Sequence, residues 1–151
     1  MSIINYNKIK VYLVRCSKGS YDDHYNWTHS VFLSKKLAEK GGFPVASTLH
    51  GLSAMSTDHP LYVGMLGMHG NYGPNVLTNE ADVILAVGMR FDDRVTGRLT
   101  DYAKMAKVIH IDIDPAELNK NVKSEIPIVA DAKPALIELT KNIKKKDHSI
   151  W

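Results

Sequence analysis

A chain of 151 residues has the length of one domain, and a domain of this size buries about 68–70% of the surface it exposes when unfolded. Hydrophobic residues at 44%, charged residues at 23% and a formal charge of +3 exclude disorder as the global state. The lone Cys16 excludes an internal disulfide framework and a multi-cysteine metal site, and no apolar run approaches the roughly 18 residues of a membrane span.

The segment 1–10 mixes polar and apolar residues without a hydrophobic block, so it does not read as a secretory signal, and a cytoplasmic protein is expected. The first strand follows at residues 11–14 (VYLV). A helix is expected over 30–40, where Val31, Leu33, Leu37 and Ala38 precede the Gly41-Gly42 stop. The second strand spans 43–47 (FPVAS), and a short helix over 75–80 follows Gly73-Pro74, proline being tolerated in a first turn.

The strongest strands are 83–87 (VILAV) and 108–113 (VIHIDI). Continuous apolar runs of this length suit strands buried on both faces, as in parallel sheets. Asp114-Pro115-Ala116-Glu117 has the order of an N-cap, a first-turn proline and a capping carboxylate, and so predicts a helix start. A weaker strand at 126–129 (IPIV) leads to a last helix opened by Asp131, with Leu136, Leu139 and Ile143 on one face. Lys141, Lys144, Lys145 and Lys146 then form a solvated basic end. No basic stripe with interleaved aromatics accompanies them, so neither a nucleic acid nor a membrane is an expected partner. Strand and helix alternate, which predicts an α/β layer fold with a mostly parallel sheet.

Ligands of open parallel sheets bind outside the carboxyl ends of the strands. Three segments concentrate unusual residues there. The first is Thr48-Leu49-His50-Gly51 together with Gly64-Met65-Leu66-Gly67-Met68-His69-Gly70. Its three glycines at a spacing of three read either as a close approach of backbone to a ligand or as a plain surface loop. The second, residues 88–97, carries Arg90, Asp92, Asp93 and Arg94 directly after a strand. Arginines there can hold phosphates or a ring face, and aspartates can take a hydroxyl or a ring N–H; the same four residues can equally form a self-satisfied salt-bridge knot. The third is Asp112, at a strand end where an acidic side chain commonly accepts from a ribose diol. Asp131 ends the next strand alike, but its cap role is explanation enough.

Other chemistries find no support. His59, His69 and His110 lack the close pairing of a helical metal motif, and His110 inside an apolar strand reads as a core histidine. Asp92 and Asp93, as neighbours on an extended segment, point apart and make a poor magnesium site. Neither Ser47, Thr48 nor Cys16 has a nearby His with a carboxylate partner in any nucleophile motif. No catalytic residue and no metal ligand is therefore assigned.

From Phe43 to about Leu139 the chain closely resembles the middle domain of the large, catalytic subunit of acetolactate synthases, a family of thiamine-diphosphate enzymes. The L-G-M-H-G run from Leu66, the G-M-R-F-D-D-R-V-T-G run from Gly88 and the H-I-D-I-D run from His110 carry the resemblance, in order and at family spacing. It implies a Rossmann-like, mostly parallel six-stranded sheet flanked by helices, holding FAD in a structural role. By the same resemblance Thr48 and Leu49 lie near the flavin, and Leu66, Gly67, Met68 and His69 run along the cofactor, as do Gly88, Arg90, Asp92, Arg94 and Val95. Asp112 and Ile113 meet the adenosine end, with Asp131 and Ala132 nearby. Asp93 matches a position on the channel toward the active site.

The whole enzyme of this family joins two pyruvates, or pyruvate and 2-oxobutyrate, in branched-chain amino-acid biosynthesis. It is a transferase whose thiamine diphosphate and magnesium sit on other domains, so this fragment alone is expected to be inactive. Its implied partners are those catalytic domains, a second large subunit and a small regulatory subunit. The expected organisation is a divergent segment over 1–42 of the same domain, the central FAD-binding-type domain over 43–146 and the start of a linker over 147–151. The polar, aromatic stretch 15–29 stands where the family has a glycine-rich loop against the FAD diphosphate. A frame-shifted or degraded reading frame that returns to family sequence near Leu37 is the expected cause of that departure. The alternatives are a stand-alone nucleotide-binding module and an inactive remnant of a frame-shifted gene.

Overall fold

The computed structural model describes the backbone of residues 11–15, and residues 35–52 and 54–145 in full. The segment 1–10, the stretch 16–29, the start of the helix expected over 30–40 and the end from Lys146 lie outside the described residues.

The elements follow in chain order as β1 (Val11–Arg15), a helix α1 described over 35–41, β2 (Val45–Ser47), β3 (Tyr62–Met65), α2 (Tyr72–Asn79), β4 (Val83–Val87), α3 (Asp93–Thr96), β5 (Lys107–Asp112), β6 (Ile126–Val129) and α4 (Ala132–Asn142). The strands form one sheet in the order β3-β2-β1-β4-β5-β6, and every pairing is parallel. This is the doubly wound order, whose direction of winding reverses between β1 and β4. The expected α/β architecture of Rossmann type is present.

The continuous apolar runs are explained by burial on both faces. Along β4, Ile84 and Ala86 enter one core with Leu66, Met89, Phe91 and Val108, while Leu85 and Val87 enter another with Leu37, Phe43, Ile111 and Leu136. Alternate strand residues point to opposite faces, so a strand covered on both sides must be apolar throughout. Leu77 of α2 packs on the first core, whereas α1 and α4 supply Leu37 and Leu136 to the second. The sheet is thereby covered on both faces.

Three local expectations need correction. Gly64 and Met65, read from sequence as the start of a glycine-spaced segment, instead end the edge strand β3, Tyr62–Met65, which the sequence reading did not include. Its signal is weak because Gly64 interrupts the run. Tyr62 aligns with Val45 and Gly64 with Ala46, so Val63 is the extra residue of a bulge, and Gly64 takes φ +110° there. Second, the helix expected from 75 begins earlier, at Tyr72. Third, Asp114 caps Ala116 N as expected, but only the single 3-10 turn Pro115–Glu117 follows. Asn119 is left-handed at φ 60° and its side chain accepts from Ser124 N, which commits the chain to an irregular return into β6.

Candidate functional site

Because all strands are parallel, the segments after them share the carboxyl edge of the sheet. The carboxyl ends of five strands, β2 to β6, are joined to one another by hydrogen bonds. Leu66 N donates to Ser47 O at 3.0 Å, linking the β2 and β3 ends; Met68 N donates to Arg94 O at 2.7 Å, linking the loops after β3 and β4. Gly88 N donates to Ile111 O at 2.7 Å, and Ala130 N to Asp112 O at 3.0 Å, which carries the chain of links across to β6.

Thr48 is buried, and its carbonyl accepts from Gly51 N in the turn Leu49–Gly51, which leaves the Leu49 side chain 62% exposed at the rim. Leu66 is in the core, so only its backbone is available to the edge. Met68 and His69 are exposed. The missing Cβ of Gly67 is explained within the protein: a methyl there would stand 2.7 Å from Arg94 O. The carboxamide of Asn75 clasps the same glycine, Oδ1 accepting from Gly67 N at 2.8 Å and Nδ2 donating to Gly67 O at 3.1 Å.

After β4, the arginine–aspartate string is partly a salt-bridge knot. Arg90 Nη2 donates to Asp92 Oδ2 at 3.0 Å, and Arg94 Nε lies 4.0 Å from Asp93 Oδ1. The knot is incomplete, since Asp92 Oδ1 is buried without a partner among the described residues. Arg94 also donates through Nη1 to Met68 Sδ at 3.6 Å. Val95 packs against the core, while Arg90, Asp93 and Arg94 face outward. The unpartnered Asp92 oxygen requires an N–H or O–H from elsewhere, which is what a ligand at this edge would bring.

Asp112 is buried, and its Oδ1 accepts from Asp114 N at 2.9 Å, so one oxygen fixes the following turn. Its Oδ2 lies 4.0 Å from His110 Nε2, and Ile113 is exposed beside it. Asp131 caps α4 through Lys133 N, as expected, and Ala132 packs on the second core. Sequence reasoning missed Asn75 and Asn121, whose Nδ2 donates to Phe91 O at 2.8 Å. Asn121 acts on backbone 30 residues away and Asn75 on backbone eight residues away, and no local motif marks either pairing.

His110 is a core histidine only in part. Nε2 is bonded to Met89 O at 2.8 Å, yet Nδ1 is buried and has no partner among the described residues. Its burial lowers the imidazole pKa, a shift opposed by the Met89 carbonyl and by the charges of Asp112 and Glu117. Phe91 lies edge-on to both His110, at 5.0 Å, and Tyr102, at 6.0 Å. Burial pushes the Tyr102 phenol well above the usual range, and its hydroxyl has no partner among the described residues. Tyr102→Phe is therefore expected to leave stability unchanged or raise it by up to about 1 kcal/mol, since an unsatisfied buried hydroxyl carries a desolvation cost. Thermal unfolding measures this, and a fall of several degrees in Tm would show that the hydroxyl has a partner.

Comparison with known proteins decides the family. Residues 26–139 match the model of the thiamine pyrophosphate enzyme, central domain. The chain belongs to that family. As a thiamine pyrophosphate enzyme central domain it is 49% identical over 119 residues, 77% of the chain, to a probable acetolactate synthase large subunit of Methanocaldococcus jannaschii. It is 46% identical over 127 residues, 83% of the chain, to the acetolactate synthase large subunit of Lactococcus lactis. To acetolactate synthase 1, chloroplastic, of Zea mays it is 43% identical over 123 residues, 78% of the chain. These matches cover 20%, 22% and 19% of the relatives' own lengths, so the chain spans about a fifth of the curated proteins it matches. The central-domain match opens at residue 26, upstream of the Phe43 where the sequence motifs begin. Relatives named as acetolactate synthase large subunits favour a portion of such an enzyme over a stand-alone nucleotide-binding module. Among the described residues no helix is long and apolar enough to cross a membrane.

Proposed function

We propose that this chain is the cofactor-holding central portion of an acetolactate synthase, over 43–146 with 1–42 as part of the same domain, and that its carboxyl edge cradles FAD. The observation that carries the reading is the buried Asp92 Oδ1, unpartnered among the described residues, beside Arg90 at the end of β4 and next to the switch point of the sheet. Arg90 and Arg94 suit a diphosphate or the face of an aromatic ring, and Asp92 suits a donor on the ring or the sugar chain. The exposed Leu49 and Met68 offer apolar surface to a flat ring, with His69 beside them. Gly67, Gly88, Leu66 and Val95 contribute main chain, because the side chains of Leu66 and Val95 are committed to the core. Asp112, Ile113, Asp131 and Ala132 lie toward the adenosine end in this reading, Asp112 with one carboxylate oxygen left over after the turn it fixes.

In this reading FAD would have a structural role and would supply no redox step. The residues of this chain bind and orient it, and none acts as acid, base or nucleophile. In the whole enzyme the carboligation of two pyruvates, or of pyruvate and 2-oxobutyrate, proceeds on thiamine diphosphate with magnesium held by other domains. A second large subunit and a small regulatory subunit are its partners, in the cytoplasm.

Titration of FAD into the purified chain, followed by flavin fluorescence and thermal unfolding together, tests the cofactor reading. A saturable rise in Tm is expected, and Arg90→Ala is expected to raise Kd roughly 10-fold or more, the effect of one lost charge-assisted contact. A folded chain that shows neither fluorescence change nor Tm shift overturns it.

A further inference from the structure

Residues 88–92 are hung from the β5 side by three hydrogen bonds. Gly88 N donates to Ile111 O at 2.7 Å, His110 Nε2 meets Met89 O at 2.8 Å, and Asn121 Nδ2 donates to Phe91 O at 2.8 Å. A carbonyl has no proton to give, so Nε2 is the protonated nitrogen of His110 and Nδ1 is a bare acceptor. The two side-chain donors grip the carbonyls immediately before and immediately after that of Arg90. Met89 and Phe91 are buried in the core, and the Arg90 side chain, 51% exposed, faces out between them. An apolar residue at 110 would fill the strand position without stranding Nδ1. What it would lack is a donor for Met89 O.

We propose that His110 and Asn121 are positioning residues, a two-point clamp on residues 88–92 that presents the Arg90 guanidinium and the Asp92 carboxylate at the carboxyl edge. The use of the clamp for FAD rests on the reading above; the clamp itself does not. His110 acts from inside the sheet, with its ring further braced by the edge of Phe91 at 79°. Asn121 acts from the irregular return after β5. Both reach main-chain carbonyls of the 88–92 segment, so in this proposal both work through Arg90 and Asp92.

The test uses the full chain and its variants His110→Leu, His110→Gln and Asn121→Ala. Without ligand, exchange of the Gly88 amide, which is bonded to Ile111 O, is expected to speed up about 5- to 10-fold in His110→Leu and in Asn121→Ala, because one lost hydrogen bond to a neighbouring carbonyl makes local opening of 88–92 easier, while β4 amides keep their wild-type rates. His110→Gln retains an N–H donor at the same reach and is expected to restore the slow rate. Asn121 is exposed, so Asn121→Ala keeps the test alive should His110→Leu not fold. Unchanged exchange in Asn121→Ala, or in a folded His110→Leu, overturns the clamp. So does failure of His110→Gln to rescue. In a chain that binds FAD, the same variants are expected to raise Kd in step with exchange, and an unaltered Kd would overturn the positioning role. A wild-type chain that takes up no FAD removes the dinucleotide reading alone, and the exchange rates still decide the clamp.

Discussion

Gly67→Ala is expected to destabilise the chain by about 2–4 kcal/mol, combining a strained backbone with an overlap, each costing roughly 1–3 kcal/mol. The backbone of Gly67 sits at φ +100°, where an L side chain is strained, and the added methyl would lie 2.7 Å from Arg94 O and 3.4 Å from Val95 Cα. A flexible side chain could swing aside, but a main-chain carbonyl cannot move without opening the bond it accepts from Met68 N. The clasp of Asn75 on both polar groups of Gly67 denies the loop its own escape. The link between the loops after β3 and β4 therefore breaks, and flavin uptake is expected to weaken with it. Gly73→Ala supplies the contrast, because beyond its chain neighbours a methyl added there would meet nothing within 4 Å, and the residue lies in helix α2. That variant is expected to stay within about 1 kcal/mol of the parent, the gain in helix propensity being opposed by the restriction that Pro74 places on the residue before it. Urea unfolding of both variants decides the matter, and an unchanged midpoint for Gly67→Ala would show that the two loops are not tightly latched.

Leu136→Ala is expected to cost about 2–5 kcal/mol, the range for truncating a fully buried aliphatic side chain. Leu136 is fully buried and the sole buried residue of α4. It meets the core shared by Leu37, Leu85, Val87 and Ile111, so it ties the last helix to the centre of the sheet. Strand β6 is mostly exposed and draws little burial of its own. Loss of the Leu136 anchor thus loosens β6 and α4 together, which hydrogen exchange would register as faster exchange in both. Exchange that rises in α4 alone would show that β6 is held by β5 without help from the helix.

The parts of the fold legible in the sequence were those with dense local signals. The run at 83–87 became β4 because both faces of a central strand must be apolar. Asp131 opened α4 because a side-chain oxygen before a helix satisfies an otherwise free N–H, here that of Lys133. β3 was hidden because a short edge strand broken by Gly64 lacks a periodic signature, and its pairing to β2 depends on a bulge that only the partner strand defines. The Asp114 cap was legible, but not that its helix would stop after one turn, since Asn119 and Ser124 close a loop instead.

The candidate site divides in the same way. The crowding of Arg90, Asp92, Asp93 and Arg94 after a strand, and the motifs that mark the family, are properties of the sequence by itself, as is the alternation that sets the α/β class. Only the tertiary structure decided which of those groups are spent internally. It paired Arg90 with Asp92 while leaving Asp92 Oδ1 unmet among the described residues, turned one oxygen of Asp112 to Asp114 N, and committed Leu66 and Val95 to the core. It also chose the carbonyls that His110 and Asn121 reach, across separations of 21 and 30 residues. The reason is physical: strand and cap preferences act between near neighbours along the chain, whereas a hydrogen bond to a distant carbonyl exists only once the sheet has brought both groups within about 3 Å.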